Sequence, residues 1–349
     1  MHKLGTMVRT ELGFEVILPN VGQNHLIAQG LPSLNEIGAH SESDMTDFAI
    51  RVKGLSKSYG QQIVVNDIAF DVQRGEVFAL LGPNGAGKTT TVEILEGHRQ
   101  RDKGNVEVLG YDPINREKRF REQIGIVLQG TGVEPQLKVG ETIEMFRGYY
   151  PDPFPLEEVL DLVGLTSERN KLVRQLSGGQ QRRLDVGVAL AGNPQLLFLD
   201  EPTTGFDPSA RRDAWDMISN LRLMGRTVVL TTHYMDEAEH LADHIALMSK
   251  GSILSYGTVE EIVARQSGTV LVFKLEDAKT VLPKDLSDGA TIEGNKVTIR
   301  TNAPVPLLYN LTSWALDNDQ YLEALRVEKP TLEDAYLDIV RSSTEMDTK

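Results

Sequence analysis

Between Phe48 and Leu81 the chain reads as short strands separated by turns. Ile68, Phe70 and Val72 fall on one face of Asp67–Val72, Arg74-Gly75 interrupts, and Val77–Leu81 is apolar without a break. Alternation marks a half-buried strand, whereas a short unbroken run marks one buried on both faces. Ile124–Leu128, Leu196–Leu199, Thr227–Leu230 and Ile245–Met248 read as further strands. Thr89–Leu95 and Arg211–Met224 read as helices between them. Strands alternating with helices predict an α/β fold, a mostly parallel sheet covered on both sides.

Residues from about 131 to 188 hold no comparable apolar strand and read as a helical insert. Past Gly257 the pattern changes. Val270–Leu275, Thr291–Arg300 and Leu325–Glu328 look like strands, and Pro304–Leu316 and Thr331–Val340 like helices, which predicts a small α+β domain. Residues 1–44 show weak periodicity of either kind. They read as an N-terminal extension, a flexible tail or a stretch upstream of a start at Met45. The expected organisation is this extension, a main domain over 45–256 containing the insert, and a C-terminal accessory domain over 257–349. No internal repeat is visible.

Composition narrows the class. The chain has no cysteine, so a disulfide framework and a thiolate metal site are excluded. No stretch approaches the roughly 20 apolar residues of a membrane-spanning helix, and no secretory signal opens the chain. The net charge of −14 argues against a nucleic-acid partner held through its phosphates. Residues 266–349 contain 14 acidic against 9 basic residues, so no basic face shows there either. A soluble, acidic, intracellular protein is expected.

Three segments carry chemistry. Gly82, Pro83, Asn84, Gly85, Ala86, Gly87, Lys88, Thr89 and Thr90 fit GxxxxGK[ST], after a strand and before a helix. The glycines let backbone amides curl around phosphate oxygens, and the helix N-terminus favours the anion. Lys88 would reach the β- and γ-phosphates, and the Thr89 hydroxyl would help hold Mg²⁺. Leu196–Glu201 is an apolar strand ending in two acids. Asp200 at the strand tip suits Mg²⁺ and its waters, while Glu201 can act as general base toward an attacking water. Taken alone, the acids could instead cap a loop.

The third segment, Leu176-Ser-Gly-Gly-Gln-Gln-Arg-Arg183, opens an apolar-faced helix with Ser177 as a plausible N-cap. It resembles a second anion site, though the chain has one phosphate loop. Two half-sites in one chain suggest completion by a second copy.

The order of these segments resembles the nucleotide-binding subunits of ABC transporters, over about residues 46 to 255. The resemblance implies an ABC-type domain: a parallel-sheet phosphate-loop core, an antiparallel β subdomain and a helical insert. It implies that Tyr59 stacks on adenine and that Gln129 touches Mg²⁺ and water and faces the membrane partner. Asp207, in Gly-Phe-Asp-Pro, matches the loop that crosses the dimer interface, with Phe206 where the family more often has leucine. His233 matches the histidine at the γ-phosphate. Singly, each has a plainer reading: surface packing for Tyr59, a strand-end amide for Gln129, a turn former before Pro208 for Asp207, a loop histidine for His233.

The family likeness further implies a head-to-tail pair sandwiching two ATP molecules, with Ser177, Gly178, Gly179 and Gln180 of one copy facing the other's phosphate loop. It implies an ATP hydrolase on the cytoplasmic face of the membrane, bound to a separate transmembrane permease. The chain is most similar to subunits of drug, antibiotic and lipid exporters, through Glu201–Pro208, Thr232–Glu239 and Lys329–Tyr336. An importer ATPase and a non-transport ATPase are the alternatives. Near Gln129–Met145, Val133-Glu-Pro-Gln-Leu and Tyr149-Tyr-Pro are candidates for lining a groove that accepts a permease helix. The helix Thr331–Arg341 would turn Leu332, Ala335, Tyr336 and Ile339 to one apolar side.

Overall fold

The computed structural model describes residues 7–9, 15–17, 48–127, 132–264, 268–276, 282–287 and 290–347. Met1–Thr46 and Asp47–Lys349 form separate units. In the first, β1 (Met7–Arg9) pairs antiparallel with β2 (Glu15–Ile17); the rest of the predicted extension lies outside the described residues.

In the second unit β3 (Phe48–Tyr59) and β4 (Gln62–Gln73) form a hairpin. Its two-residue loop places Gly60 at φ 60, the left-handed conformation that a tight hairpin demands. The core strand β5 (Val77–Leu81) leads into α1 (Lys88–Leu95). Then come β6 (Lys103–Val108), α2 (Lys118–Glu122) and β7 (Ile124–Val127). The strand β6 completes a three-stranded antiparallel sheet in the order β4-β3-β6.

Between β7 and β8 (Leu196–Asp200) lie α3 (Val139–Arg147), α4 (Leu156–Leu162) and α5 (Gly178–Leu190), with no strand among the described residues. After β8 come α6 (Pro208–Leu223), β9 (Thr227–Thr232), α7 (Met235–Leu241), β10 (His244–Ser249) and β11 (Ser252–Gly257). The main sheet runs β11-β10-β5-β9-β8-β7, parallel throughout except at β11.

Period-two geometry explains why its strands are unbroken apolar runs. Val77, Ala79 and Leu81 enter one core with the helices of the insert, whereas Phe78 and Leu80 enter the other with the antiparallel sheet. Leu197 and Leu199 divide from Leu196 and Phe198 in the same way. Both faces are dry, so no position in these strands admits a polar side chain without a partner.

The chain continues through α8 (Val259–Ala264), β12 (Thr269–Leu275), α9 (Lys284–Ser287), β13 (Ala290–Glu293), β14 (Lys296–Thr301), α10 (Pro304–Asp317), β15 (Leu322–Glu328) and α11 (Leu332–Asp347). Four strands form a second antiparallel sheet, β13-β14-β12-β15. Thr291–Arg300, expected as one strand, is a hairpin: Gly294 takes φ 64 and reverses the chain between Glu293 and Lys296. A Gly-Asn pair between strand-forming runs is a turn signal, and it outweighs the continuous β propensity around it.

The accessory segment is not self-contained. Ile262 of α8 and Leu332 and Ala335 of α11 are fully buried in the main-domain core, and Tyr336 and Ile339 pack against it. The Leu332 amide donates to Glu239 Oε1 at 2.6 Å, while Arg300 on β14 pairs with Asp334 and Asp338 of α11. The last helix thus joins the accessory sheet to the main domain. Removing three carbons from a fully buried leucine costs about 2–5 kcal/mol. Leu332→Ala should therefore lower the melting temperature of the whole chain; an unchanged thermal transition would show that α11 does not bear on the main core.

Candidate functional site

The carboxyl ends of β5, β9 and β8 lie side by side. Parallel pairing matches Leu81 with Thr232, and Thr231 with Asp200. In open α/β sheets ligands bind at that edge, and it is where the three motif-bearing loops leave the sheet. Sequence separation of over a hundred residues becomes lateral adjacency.

The phosphate loop bends between β5 and α1. A Cβ on Gly82 would stand 2.2 Å from the Met248 carbonyl oxygen, so no side chain fits where the loop leaves its strand. Gly87, at φ 101, sits in the left-handed region immediately before α1. Pro83, Asn84, Gly85 and Thr89 are exposed, Thr90 is half-buried and Ala86 is buried. Lys88 is buried at the first helical position, where its Nζ donates to Gly82 O at 2.7 Å and Pro83 O at 3.2 Å. Burial pushes its ammonium below the usual range, and the negative charge of Glu201 and Asp200 pulls it partway back. An ammonium so placed has both acids in its field.

The two acids at the end of β8 serve different partners. Asp200 Oδ1 accepts from Thr231 Oγ1 at 2.5 Å. Glu201 takes φ 47, a left-handed conformation that costs a non-glycine residue about 1–3 kcal/mol. Its amide donates to Thr231 O and to Thr231 Oγ1, both at 3.1 Å. Its carboxylate meets His233 Nδ1 at 3.2 Å and accepts from Thr204 Oγ1 at 3.1 Å. The strained turn therefore separates adjacent carboxylates, one held toward β9 and the other toward His233.

Thr231 is the residue that motif reading missed. It is the first threonine of Leu230-Thr-Thr-His233, and parallel pairing with Asp200 is what gives it a role. The segment beyond Glu201 is anchored from α7, where fully buried Glu237 accepts from Thr203 Oγ1 at 2.7 Å and Trp215 Nε1 at 3.3 Å.

Ser177 is exposed and N-caps α5 as expected. Its Oγ accepts from the Gln180 amide at 3.2 Å, and Gln180 Oε1 accepts from the Ser177 amide at 3.0 Å, a reciprocal capping box. That cap leaves the Ser177 hydroxyl hydrogen uncommitted. Asp207 caps α6 in turn, accepting from the Ser209 and Ala210 amides at 2.9 Å ahead of Pro208. Its plainer reading as a turn former is met, whatever else it does.

Gly178, Gly179, Glu201, Thr204, Phe206 and Asp207 line one cleft of about 540 Å³, which no described phosphate-loop residue lines. One chain thus presents two separate faces that share Glu201. Arg182 of α5 ties them together: Nη2 donates to Asp200 O at 2.9 Å.

Tyr59 ends β3 and is 41% exposed, with Arg99 and Lys57 standing 5.2 and 5.6 Å from its ring centroid. Gln129 lies outside the described residues. The described residues expected to hold a cation, Asp200 and Thr89, offer oxygens, the chemistry Mg²⁺ prefers.

The fold and this edge are those of a phosphate-loop ATPase. The ABC transporter family model matches residues 65–204. The Nod factor export ATP-binding protein I of Ralstonia nicotianae is 35% identical over 272 residues, covering 76% of this chain and 85% of that protein. The linearmycin resistance ATP-binding protein LnrL of Bacillus subtilis is 31% identical over 303 residues, covering 83% and 97%. Among solved structures, cbiO1 from Clostridium perfringens, part of the ABC transporter complex cbiONQ, superposes with a TM-score of 0.57 at 27% identity, over 62% of this chain and 91% of that one. The chain belongs to the ABC transporter family, as an ATP-binding subunit that hydrolyses ATP.

One acid near the site has no part in the motifs. Glu96, at the end of α1, is buried; desolvation, with Asp200 and Glu93 nearby, pushes its carboxyl up to about 8. A carboxyl raised in the fold keeps its proton longer there than in the unfolded chain, so its stabilising share fades as pH climbs from 4.5 toward 8. Glu96→Gln removes that dependence. In chelator, its melting temperature should exceed that of the parent at and above pH 8, with the gap closing toward pH 4.5. A gap that does not vary with pH would contradict this account.

Proposed function

We propose that two copies of this chain clamp ATP between them and power export through a separate transmembrane permease. The carrying observation is the division of labour within one chain. Lys88, Asp200, Glu201 and His233 share the edge of one sheet, while the Ser177–Gly179 helix tip, exposed at Ser177 and Gly178, opens on another face. The arrangement is complete only if the Ser177 tip of one copy meets the phosphate loop of another, related by a two-fold axis.

In this reading the loop amides from Gly82 to Thr90 and the Lys88 ammonium hold the phosphates, and Tyr59 stacks on the adenine. Ser177, Gly178, Gly179 and Gln180 of the second copy close over the γ-phosphate, with Asp207 at the boundary between copies. Glu201 accepts a proton from water as the water oxygen bonds to the γ-phosphorus, and the bond to the ADP oxygen breaks, giving ADP and phosphate. His233 holds the Glu201 carboxylate by its 3.2 Å contact and reaches the γ-phosphate. Asp200 and Thr89, with Gln129 as the resemblance implies, would hold Mg²⁺, which when bound would supply positive charge to offset that of the phosphates. Catalysis here is positioning and charge stabilisation.

The export assignment follows the relatives, one of which is named for Nod factor export. Among the described residues no helix is long and apolar enough to cross a membrane; in this reading a separate polypeptide supplies the translocation path and this subunit binds it peripherally. A groove of about 360 Å³, lined by Phe120, Ile124, Ile126, Phe146 and Tyr150 with Arg116 and Arg121 beside them, suits a cytoplasmic permease helix. It takes Tyr150 from the expected lining, whereas Val133 packs against the main core and Tyr149 stands 72% exposed. Glu96 also lines this groove, which puts a group sensitive to Asp200 in the wall where the permease would press.

Glu201→Gln should slow hydrolysis by about 10²–10⁴-fold, the usual share of a general base, while ATP still binds and a nucleotide-stabilised dimer accumulates. Turnover near that of the parent would remove Glu201 from the role. Lys88→Ala should abolish ATP binding in a direct titration; retained micromolar affinity would refute the phosphate-loop assignment.

A further inference from the structure

The peptide group between Asp200 and Glu201 is held at both ends. Its N–H, from Glu201, donates to Thr231 O and Oγ1, both at 3.1 Å. Its carbonyl oxygen, from Asp200, accepts from Arg182 Nη2 at 2.9 Å. A peptide group is planar, so two such anchors fix its rotation about the chain. The φ of 47 that turns Glu201 away from Asp200 is measured from that plane. Release of either anchor would let the strained turn relax and re-aim the Glu201 carboxylate.

Thr231 is fixed by its strand, whereas Arg182 reaches the carbonyl on a long side chain from α5. Arg182 lines the cleft of about 540 Å³, into which its guanidinium would swing toward water if nothing held it. Asp185, three residues on and so on the same side of the helix, opposes that swing. Its Oδ2 lies 3.8 Å from Arg182 Nη1, with 13% of the arginine and 11% of the aspartate side chain exposed. Asp185 Oδ1 is buried without a hydrogen-bond partner among the described residues. A half-satisfied carboxylate is a poor choice for stability alone, since an apolar side chain would strand no acceptor. The other ionisable groups lining the cleft, Glu201 and Asp207, are acids, which leaves Arg182 as the cation that acts on Asp185 among the described residues.

We propose that Asp185 is a positioning residue for hydrolysis: it braces Arg182, which holds the Asp200–Glu201 peptide and so aims the Glu201 carboxylate at the attacking water. This role rests on Glu201 being the general base of the proposed function. Burial pushes the Asp185 carboxyl up to about 7, with Arg182 pulling it partway back, so the brace is charged above that pH and neutral below it.

Full-length Asp185→Asn keeps the shape of the side chain and drops its charge. Its kcat for Mg²⁺-ATP should fall about 10-fold well above pH 7, within what a small misplacement of a catalytic group costs, and approach that of the parent below pH 7. ATP affinity in a direct titration should be unchanged, because the brace touches no phosphate-loop residue. In a Glu201→Gln chain the same substitution should change nothing, since no base is left to aim. Arg182→Met should slow turnover at least as much, with no further loss when Asp185→Asn is added. A purely structural role would instead lower turnover in both backgrounds and at every pH, and either result overturns the proposal, as does parent-like turnover of Asp185→Asn. If Glu201→Gln slows hydrolysis while Asp185→Asn does not, only the brace fails. If Glu201→Gln itself turns over like the parent, the general-base reading fails and the brace with it.

Discussion

A single hydroxyl on the central strand β9 sets the directions of two adjacent acids. Thr231 Oγ1 donates to the Asp200 carboxylate and accepts from the Glu201 amide. It thus uses both sides of its hydrogen-bonding capacity on consecutive residues of the neighbouring strand. This holds Glu201 in its left-handed conformation, which would otherwise relax toward an extended one. Without that turn the two carboxylates would alternate across the strand. With it, one is held against β9 and the other reaches His233. The arrangement needs parallel, in-register pairing of β8 and β9, so the site depends on a sheet buried on both faces.

Those strands were legible in the sequence because burial on both faces leaves no polar interruption, and Val77–Leu81 matches β5 residue for residue. The phosphate loop and the Ser177 cap were legible for a related reason: local backbone geometry restricts which residues can stand there. What could not be read was lateral. Thr231 looks like any threonine at a strand end until pairing places Asp200 beside it. Glu201 gives no sign of its positive φ, since glutamate is no turn former. The hairpin at Gly294 had a local signal that the β-forming residues on either side obscured. Lys103–Val108 passed unnoticed because its apolar content is low; only Val106 and Val108 are buried, each against β3.

The accessory segment shows a different limit. Periodicity predicted α11 and its apolar side correctly, but not which core that side enters. Leu332 and Ala335 join the main-domain core, while Arg300 holds Asp334 and Asp338 from the accessory sheet. An amphipathic pattern states that a face is buried and is silent about its partner. The consequence is mechanical. A helix gripped from both sides links the accessory sheet to α7, whose buried Glu237 anchors Thr203 in the loop after Glu201.

Electrostatics supports the proposed pairing of two copies. Lys88, Asp200 and Glu201 already bring one cation and two acids into a partly buried space, and Lys88 turns to its own loop carbonyls. Adding nucleotide phosphates brings several more negative charges, which a single lysine and one helix terminus offset only in part. The further donors the chain owns, the Ser177 hydroxyl and the amides of Gly178 and Gly179, line clefts that no described phosphate-loop residue lines. Arg182 bonds the base of that same helix to the Asp200 carbonyl. The helix tip proposed to close on a neighbour's phosphate is therefore tied to the acid-bearing strand of its own copy. In the proposed two-fold pair, that bond would link the two nucleotide sites.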